Sequence, residues 1–398
     1  MGLNSNAVSS DNINKLFKMV SSMRVIIVDS LIGNDYTINL CRGLQEVVND
    51  LTLILPQNRK YEPLKSTKVK LWAPSKDSSV NKIRKSIDYI VYLFRLFVFI
   101  RLGRKCIVHF QFFRRKSDIY FVRLLRIWGI KVVYTAHNVL PHEKTWLDKF
   151  RAKILYKSAE AIIVHSNFIR EKLIKEFPAS AAKIHIVPHG NFDNYLPKEV
   201  LSKEEARSYF GLSMDEKVIL FFGYIREYKG LDLLIDAFEL VAEKDNNINL
   251  IIAGAPINNK LSDRYWQQIL KSNFRERIIY HNNFIPSEKI PLYFEASDIL
   301  VLPYKSIDHS GIIHLAYSFS KPVIATDVGD FKEIIEHNKS GVILELNTAS
   351  CLADAILKLS LNNDLGRIGE YAKSLSESKY SWKNIAKLTA NVYGNLFK

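Results

Sequence analysis

The sequence places two cations, Arg226 and Lys229, between an apolar run at 217–223 and the start of a helical pattern. Fixed cations beside the N-terminus of a helix form an anion site, and two of them suit a diphosphate. The alternative is a loop with two solvated cations. From their chemistry, we expect Arg226 and Lys229 to bind an anionic ligand and to stabilise negative charge that develops on it.

A second loop of this kind follows the apolar run at 298–304 and ends in Ser310 and Gly311. Ser310 can cap the next helix through its hydroxyl group, and Gly311 lets a ligand approach the backbone closely. Free N–H groups at this turn would hold a phosphate, and the alternative is a simple capped helix. No Asp-x-Asp triplet occurs in the sequence, which disfavours a metal ion held by carboxylates.

Polar side chains also follow apolar runs in the first half. The run 131–137 ends in His137, and Asn138 follows it. His142 and Glu143 come shortly afterwards. Two histidines and a carboxylate within seven residues favour a functional cluster, although a single histidine is more often structural.

Two further loops of the first half belong to the same edge. The run 23–29 leads to Gly33, Asn34 and Asp35, and the run 183–189 leads to Gly190. The first of these loops does not read Gly-x-Gly-x-x-Gly, so a dinucleotide fingerprint is absent.

Short apolar runs alternate with amphipathic helical patterns along the whole chain, which predicts parallel sheets covered by helices on both faces. Ligands bind at the carboxyl ends of the strands in such sheets, where the loops above lie. The runs predicted as strands are 23–29, 51–55, 106–112, 131–137, 161–166, 183–189, 217–223, 249–254, 277–283, 298–304 and 322–327.

A polar segment at 191–204 separates two sets of strands. We therefore expect an α/β protein of two doubly wound domains, at 23–195 and 205–378. A disordered tail at 1–22 would precede them, and a closing helix would lie within 379–398.

Composition excludes several classes of protein. Apolar residues make up 47% of the chain and charged residues 24%, which is ordinary for a globular protein and excludes a disordered or collagenous one. The cysteines Cys41, Cys106 and Cys351 lie far apart, which excludes a disulfide scaffold and a thiolate zinc site. The polar N-terminus predicts no secretory signal.

The excess of basic over acidic residues is confined to the first half. Residues 1–200 contain 33 Lys and Arg against 16 Asp and Glu, whereas residues 201–398 contain 23 against 25. Within the first half, the apolar segment Ile90–Ile100 is too short to span a bilayer and is flanked by cations. This pattern favours the surface of an anionic membrane, and the alternative is a buried helix with a basic end. No nucleic-acid-binding signature accompanies the charge, so we expect no nucleic acid partner.

Several segments, taken in order, resemble one family. They are TAHNVLPHE at 135–143, IVPHG at 186–190, FFGYIREYKGLDLLIDAF at 221–238, LIIAG at 250–254, and DILVLPY with SGIIHLAYSFSKPVIATDVG within 298–329. With these segments the chain resembles a GT-B glycosyltransferase of the broad group that contains family 4 of the nucleotide-sugar-dependent enzymes. The resemblance runs from Met23 to the C-terminal helix.

The resemblance implies two Rossmann-like domains that face a central cleft. The C-terminal domain would bind the nucleotide diphosphate sugar and the N-terminal domain the acceptor. It implies that the cationic pair is Arg226 and Lys229, that the histidine near the donor sugar is His137, and that the base lies against Phe284 and Ile285. It implies no cofactor and no metal ion, with a UDP-sugar favoured over a GDP-sugar as co-substrate.

The chain departs from the family at one motif. Two glutamates eight positions apart are typical there, and the aligned positions are Ile307 and Leu315, with Asp308 and His309 as the nearest substitutes. The chain instead resembles a branch with Ser-Gly at that turn, found among exopolysaccharide and capsule glycosyltransferases.

The resemblance implies a hexosyltransferase with a lipid-linked or polysaccharide acceptor, peripheral on the cytoplasmic face of the plasma membrane. Donor-side residues would be Gly190, Arg226, Lys229, Phe284, Ile285, Asp308, His309, Ser310 and Gly311. Acceptor-side residues would be Gly33, Asn34, Asp35, Asn138 and His142.

Two questions stay open, which are the stereochemical outcome of the transfer and the function itself. If the enzyme retains configuration, the leaving phosphate can take the acceptor proton, whereas inversion needs a base, for which Glu143, His137 and Asp35 are the candidates. A sugar-nucleotide epimerase of the same fold, or an inactive membrane-associated subunit, are the alternative functions.

Overall fold

A computed structural model describes residues 21–31, 35–57, 64–73, 82–103, 106–113, 115–139, 146–197, 199, 201–361 and 364–397. The chain forms two compact units. One contains the described residues up to Gly190 and those from Ser381 onward, and the other is Asn191–Tyr380.

The first unit is built on a seven-stranded parallel sheet in the order β3-β2-β1-β4-β5-β6-β7. Its strands are β1 (Arg24–Asp29), β2 (Asp50–Pro56), β3 (Lys68–Ala73), β4 (Cys106–Phe112), β5 (Lys131–Thr135), β6 (Ala161–Val164) and β7 (Ile184–Ile186). Its helices are α1 (Tyr36–Leu44), α2 (Lys82–Arg101), α3 (Asp118–Ile127), α4 (Trp146–Ser158), α5 (Asn167–Glu176) and the C-terminal helix α14 (Trp382–Asn395).

The second unit is built on a six-stranded parallel sheet in the order β10-β9-β8-β11-β12-β13. Its strands are β8 (Lys217–Phe222), β9 (Ile248–Ala253), β10 (Ile278–His281), β11 (Ile299–Leu302), β12 (Val323–Ala325) and β13 (Gly341–Ile343). Its helices are α6 (Lys203–Tyr209), α7 (Leu231–Lys244), α8 (Asn259–Lys271), α9 (Ile290–Ala296), α10 (Ile312–Ser318), α11 (Phe331–Ile334), α12 (Ala349–Ser360) and α13 (Leu365–Glu377).

The strands are buried apolar runs because helices cover both faces of each sheet. In the second sheet, Leu220 and Leu300 face one core cluster, while Phe221 and Val301 face the other, and all four are at most 1% exposed. This alternation confirms the α/β prediction and the predicted pattern of strands. Each strand order reverses once, between β1 and β4 in the first sheet and between β8 and β11 in the second.

The C-terminal helix α14 packs on α1 in the first unit. A β-carbon added to Gly43 of α1 would lie 2.3 Å from the Trp382 carbonyl oxygen, so the two helices approach more closely than a side chain allows. Ala386 and Tyr393 of α14 are fully buried in the core beneath β1. The last segment of the chain therefore completes the core of the first unit.

The change from one unit to the other comes after Gly190. Asn191 belongs to the second unit because its backbone N–H donates to the Tyr380 carbonyl oxygen at 2.8 Å. Its side-chain amide also donates to the Ser376 carbonyl oxygen at 3.1 Å.

Candidate functional site

The loop after β8 reaches its conformation through two glycines with positive φ. Gly223, at φ 99°, ends the strand, and Gly230, at φ 67°, precedes α7. A β-carbon on Gly230 would lie 1.9 Å from the Pro303 carbonyl oxygen, so this loop touches the loop after β11. A side chain at either glycine would strain the backbone.

Lys229 is a buried residue of this loop. Only 8% of the residue is exposed, and its Nζ lies 5.4 Å from the centre of the Tyr304 ring. Burial lowers the pKa of Lys229 to about 8, and the charge of Arg226 adds to the lowering. A β-carbon on Gly223 would lie 3.1 Å from Nζ, so the glycine leaves the space beside the ammonium group open. Arg226 itself is exposed.

The loop after β11 is tied to the loop after β8 and to the loop after β12. The Lys305 N–H donates to the Tyr228 carbonyl oxygen at 2.7 Å. His309 Nδ1 lies 2.7 Å from an oxygen of Asp330, a carboxylate that is completely buried. Strands β8 and β11 flank the point where the strand order of the second sheet reverses, which is where ligands bind in doubly wound folds.

The capping prediction for Ser310 is wrong. Gly311 is the N-cap residue of α10, and no side chain caps the helix. Ser310 is buried instead, one residue outside the cap. Asp308 is half-buried in the same loop.

Two aromatic rings lie at this edge of the second sheet. Tyr224 follows β8 and Phe284 follows β10, and their ring centres are 6.3 Å apart. Both residues are more than half exposed, whereas Ile285 is buried against the sheet. An exposed pair of rings offers a stacking surface for a planar group.

In the first unit, His137 lies after β5 and is held on three sides. Phe112 stacks on its ring at a centre distance of 4.2 Å, and Tyr36 meets the ring edge-on at 4.8 Å. His137 Nδ1 lies 3.1 Å from His165 Nε2, and His137 Nε2 lies 3.2 Å from Gln111 Oε1. The side chain is therefore fixed by packing and by its polar neighbours.

His165, directly beyond β6, orients His137. His165 Nδ1 lies 3.0 Å from the Val187 carbonyl oxygen, which can only accept, so Nδ1 carries a proton and donates it. The other ring nitrogen, Nε2, is the atom that faces His137 Nδ1. The sequence analysis missed His165, although it is the fifth residue of the predicted strand 161–166 and so falls at the carboxyl edge of the sheet.

A second layer lies behind His137. Gln111 Nε2 is 3.0 Å from His109 Nε2, and His109 Nδ1 is 2.7 Å from the Tyr393 hydroxyl of α14. His109 is completely buried, and burial lowers its pKa to about 3, so the ring is neutral. The C-terminal helix thus supports the residues that support His137.

Three of the other predicted residues are described by the structure, and four are not. A β-carbon on Gly190 would lie 2.5 Å from the Trp382 ring, so packing of this indole requires the glycine. Asp35 is the half-buried residue before α1, and Asn138 is exposed next to His137. Gly33, Asn34, His142 and Glu143 lie outside the described residues.

A pocket of about 320 Å³ opens beside His137 in the first unit. Its wall combines aromatic rings with cationic side chains. They include Phe112, Phe113, Tyr134, Arg115, Lys116 and Arg151.

Two family models match the chain. The model of the glycosyl transferases group 1 matches residues 202–382, and that of Glycosyltransferase Family 4 matches residues 33–191. Together they cover more than four fifths of the sequence. The chain is a group 1 glycosyltransferase.

Relatives of this glycosyltransferase include curated enzymes. A D-inositol 3-phosphate glycosyltransferase of Corynebacterium aurimucosum is 25% identical over an alignment of 288 residues that covers 68% of each chain. An uncharacterised glycosyltransferase of Methanocaldococcus jannaschii is 30% identical over an alignment of 248 residues that covers 60% of each chain.

Solved structures share the fold. Anabaena Alr3699/HepE in complex with UDP superimposes with a TM-score of 0.73 at 16% identity, covering 94% of this chain and all of that one. Sucrose-phosphate synthase of Thermosynechococcus elongatus gives 0.70 at 16% identity, covering 94% and 99%. The GT-B fold predicted for this glycosyltransferase is thereby confirmed.

Proposed function

We propose that this glycosyltransferase moves a hexose-type sugar from a nucleotide diphosphate sugar to a lipid-linked or polysaccharide acceptor. The observation that carries the proposal is the cationic loop after β8, with buried Lys229 and exposed Arg226 at the reversal of the second sheet. UDP-sugars are favoured over GDP-sugars. In support, the similar Anabaena protein was solved with UDP and with UDP-glucose.

The diphosphate leaves with growing negative charge as the glycosidic C–O bond breaks. Lys229 supports this step because a buried ammonium group interacts with a charge more strongly than a solvated one. An approaching diphosphate favours the protonated form of Lys229 and offsets its loss of hydration. In this proposal Lys229 and Arg226 stabilise the leaving group without a metal ion or a cofactor.

The remaining donor contacts follow from position at the same edge. The nucleotide base stacks at Tyr224 and Phe284, beside Ile285. His309, with its Nδ1 facing the buried Asp330 carboxylate, takes over hydroxyl recognition from the absent glutamate, and Asp308 lies next to it. The turn at Ser310 and Gly311 contacts the phosphates.

His137 serves the transfer on the acceptor side. Its fixed ring suits contact with the donor sugar or with the attacking hydroxyl group, and Asn138 and Asp35 belong to the same edge. The neighbouring pocket presents Phe112 and Phe113 for a sugar ring and Arg115 for a phosphate, whereas Lys116 and Arg151 in its wall pair with Asp148. A phosphorylated or diphosphate-linked acceptor fits this wall. The corynebacterial relative is likewise named for a phosphorylated acceptor, D-inositol 3-phosphate.

The transfer itself is tested by incubating the protein with UDP-glucose and a bacterial lipid extract. A labelled lipid product is expected, and NMR of its anomeric linkage distinguishes retention from inversion. Consumption of the donor without transfer would favour the epimerase alternative, in which the sugar nucleotide reacts alone.

Replacing His165 with leucine is expected to lower kcat about tenfold, because His137 loses the neighbour that orients it. His165→Gln keeps a polar atom near the place of Nε2 and should stay within about threefold of the wild type. Initial rates and thermal unfolding are measured for both. An equal loss of rate in the two variants would contradict the positioning role.

Membrane attachment through α2 completes the proposal. Five side chains at helical spacing form an exposed apolar face that the unit itself does not cover. They are Ile83 (70% exposed), Ile87 (55%), Ile90 (66%), Val91 (58%) and Phe94 (69%). Among the described residues no helix has the length and hydropathy needed to cross a bilayer. An apolar face with basic flanks suits the cytoplasmic surface of an anionic membrane.

Phe94→Glu is expected to reduce binding to anionic vesicles several-fold, because a charge replaces an apolar anchor. Leu346→Glu makes the same kind of change at an exposed leucine in the second unit and should leave binding intact. Co-sedimentation at low salt measures both. Failure of the wild type to bind would remove the membrane from the proposal.

A further inference from the structure

A pocket of about 600 Å³ lies at the opposite edge of the second sheet from the proposed donor loops. Lys217 begins β8, Asp298 directly precedes β11, and Lys321 lies two residues before β12. All three line the pocket, which we call the amino-edge pocket. The donor loops leave the other ends of the same strands, so nothing in the proposed function uses this pocket.

Three lysines line the amino-edge pocket against two carboxylates, Asp298 and Glu370. These lysines are Lys203, Lys217 and Lys321. The Lys203 ammonium group pairs with the Asp298 carboxylate at 2.5 Å. Asp298 also accepts from the buried Arg207 at 2.7 Å, so its charge is already matched from within the protein. The pocket as a whole is therefore positive.

Lys321 is the decisive residue. It is 9% exposed, and within the described part of the chain its ammonium group makes no hydrogen bond and no ion pair within 4.0 Å. Burial lowers its pKa to about 8, although the more distant carboxylate of Glu295 favours the charged form. Buried ammonium groups are normally paired, so this one points to an anion from outside.

The start of α13 supplies the second half of an anion site. Leu365 and Gly366, in the first turn of this thirteen-residue helix, line the same pocket. Asp364 is the N-cap residue, but its side chain does not cap the helix and instead pairs with Arg367 at 2.8 Å. No side chain of the described residues caps this turn, so its N–H groups and the positive end of the helix dipole lie uncapped by them at the wall of the pocket.

We propose that the amino-edge pocket binds a small phosphorylated molecule, with its phosphate between the Lys321 ammonium group and the first turn of α13. Helix N-termini bind phosphate through their N–H groups, and a lysine adds a charge-assisted hydrogen bond. The volume lies within the usual range for small-ligand pockets and leaves room for an organic part beside the phosphate.

Two variants test the site without threatening the fold. Lys321→Met removes an unpaired buried charge and keeps the length of the side chain. Gly366→Asp places a carboxylate at the helix N-terminus, where no atom lies within 4 Å of the added β-carbon and an acid is favourable. The matched control is Lys358→Met, which removes the same charge from an exposed position in the last turn of α12.

The experiment is calorimetric titration of the full chain at pH 7 with inorganic phosphate and, separately, with a hexose 6-phosphate. We expect the wild type and Lys358→Met to bind equally, and Lys321→Met and Gly366→Asp to lose about tenfold in affinity. Tighter binding of the hexose phosphate than of phosphate would assign the organic part to the pocket, and equal binding would assign the phosphate alone.

Arg226→Ala separates this proposal from the donor site. Binding at the amino-edge pocket should survive in this variant, even if UDP binding is lost. The proposal is overturned if neither probe binds the wild type up to about 10 mM, a very weak affinity. It is also overturned if Lys321→Met binds normally, or if Arg226→Ala abolishes phosphate binding.

Discussion

Replacement of Lys229 by methionine is expected to reduce the turnover of the donor about a hundredfold, because removal of one preorganised charge from a leaving-group site costs about 3 kcal/mol. The methionine fills the same space beside Gly223 and removes a charge that burial destabilises. The fold should therefore be no less stable, and the loss should lie in catalysis. Initial rates at saturating donor measure it.

Lys305→Met is the matched control for this prediction. Lys305 lies on the neighbouring loop, but its ammonium group is engaged by Asp232 at 2.6 Å, so its removal should change turnover less than about twofold. Similar losses in both variants would show that the effect is a general one of net charge. A normal rate in Lys229→Met would remove this residue from the site.

The same side chain predicts a pH dependence. The pKa of Lys229 is lowered to about 8, so the free enzyme loses the ammonium form as the pH rises through that value. We expect kcat/KM for the donor to fall above a pH of about 8 in the wild type, and this fall to be absent in Lys229→Met.

Asp298→Ala is expected to lower the free energy of unfolding by about 3–5 kcal/mol, because it leaves the guanidinium group of Arg207 buried without its carboxylate. Arg207 is 1% exposed and pairs with Asp298 at 2.7 Å, and Asp298 also accepts from the Val218 N–H at 2.7 Å. Urea unfolding measures the change.

Two controls define this second prediction. Lys203→Met removes the more exposed partner of Asp298 and should cost less than about 1 kcal/mol. The double variant with Arg207→Met should recover part of the loss, since the buried charge is removed as well. A loss below about 1 kcal/mol in Asp298→Ala would contradict the account of this pair.

The sequence predicts strands well where a strand is buried on both faces. All eleven predicted runs contain a strand, and the two further strands within the described residues, β3 and β13, lie at sheet edges. In β3 the lysines Lys68 and Lys70 alternate with apolar residues, and β13 has three residues. Strands that pair on one side only do not need a continuous apolar run, so their signal is weak.

The site is predictable as a set of loops, because parallel strands bring their carboxyl ends to one edge. The side-chain contacts between residues of different loops are not predictable in this way. His165 meets His137 from 28 residues away, and Asp330 meets His309 from 21 residues away. Such contacts depend on strand register and on the path of each loop, which composition and periodicity do not encode.

The central claim is a diphosphate site at the loop after β8, and nucleotide binding tests it most directly. Thermal unfolding is recorded with UDP, GDP, dTDP, CMP and NAD in the presence of EDTA, for the wild type and for Arg226→Ala. A ligand at 100 times its dissociation constant adds about 2.7 kcal/mol to the folded state. We predict stabilisation by one nucleoside diphosphate, UDP first, and its loss in Arg226→Ala. No stabilisation of a folded wild type by any of them would contradict the claim.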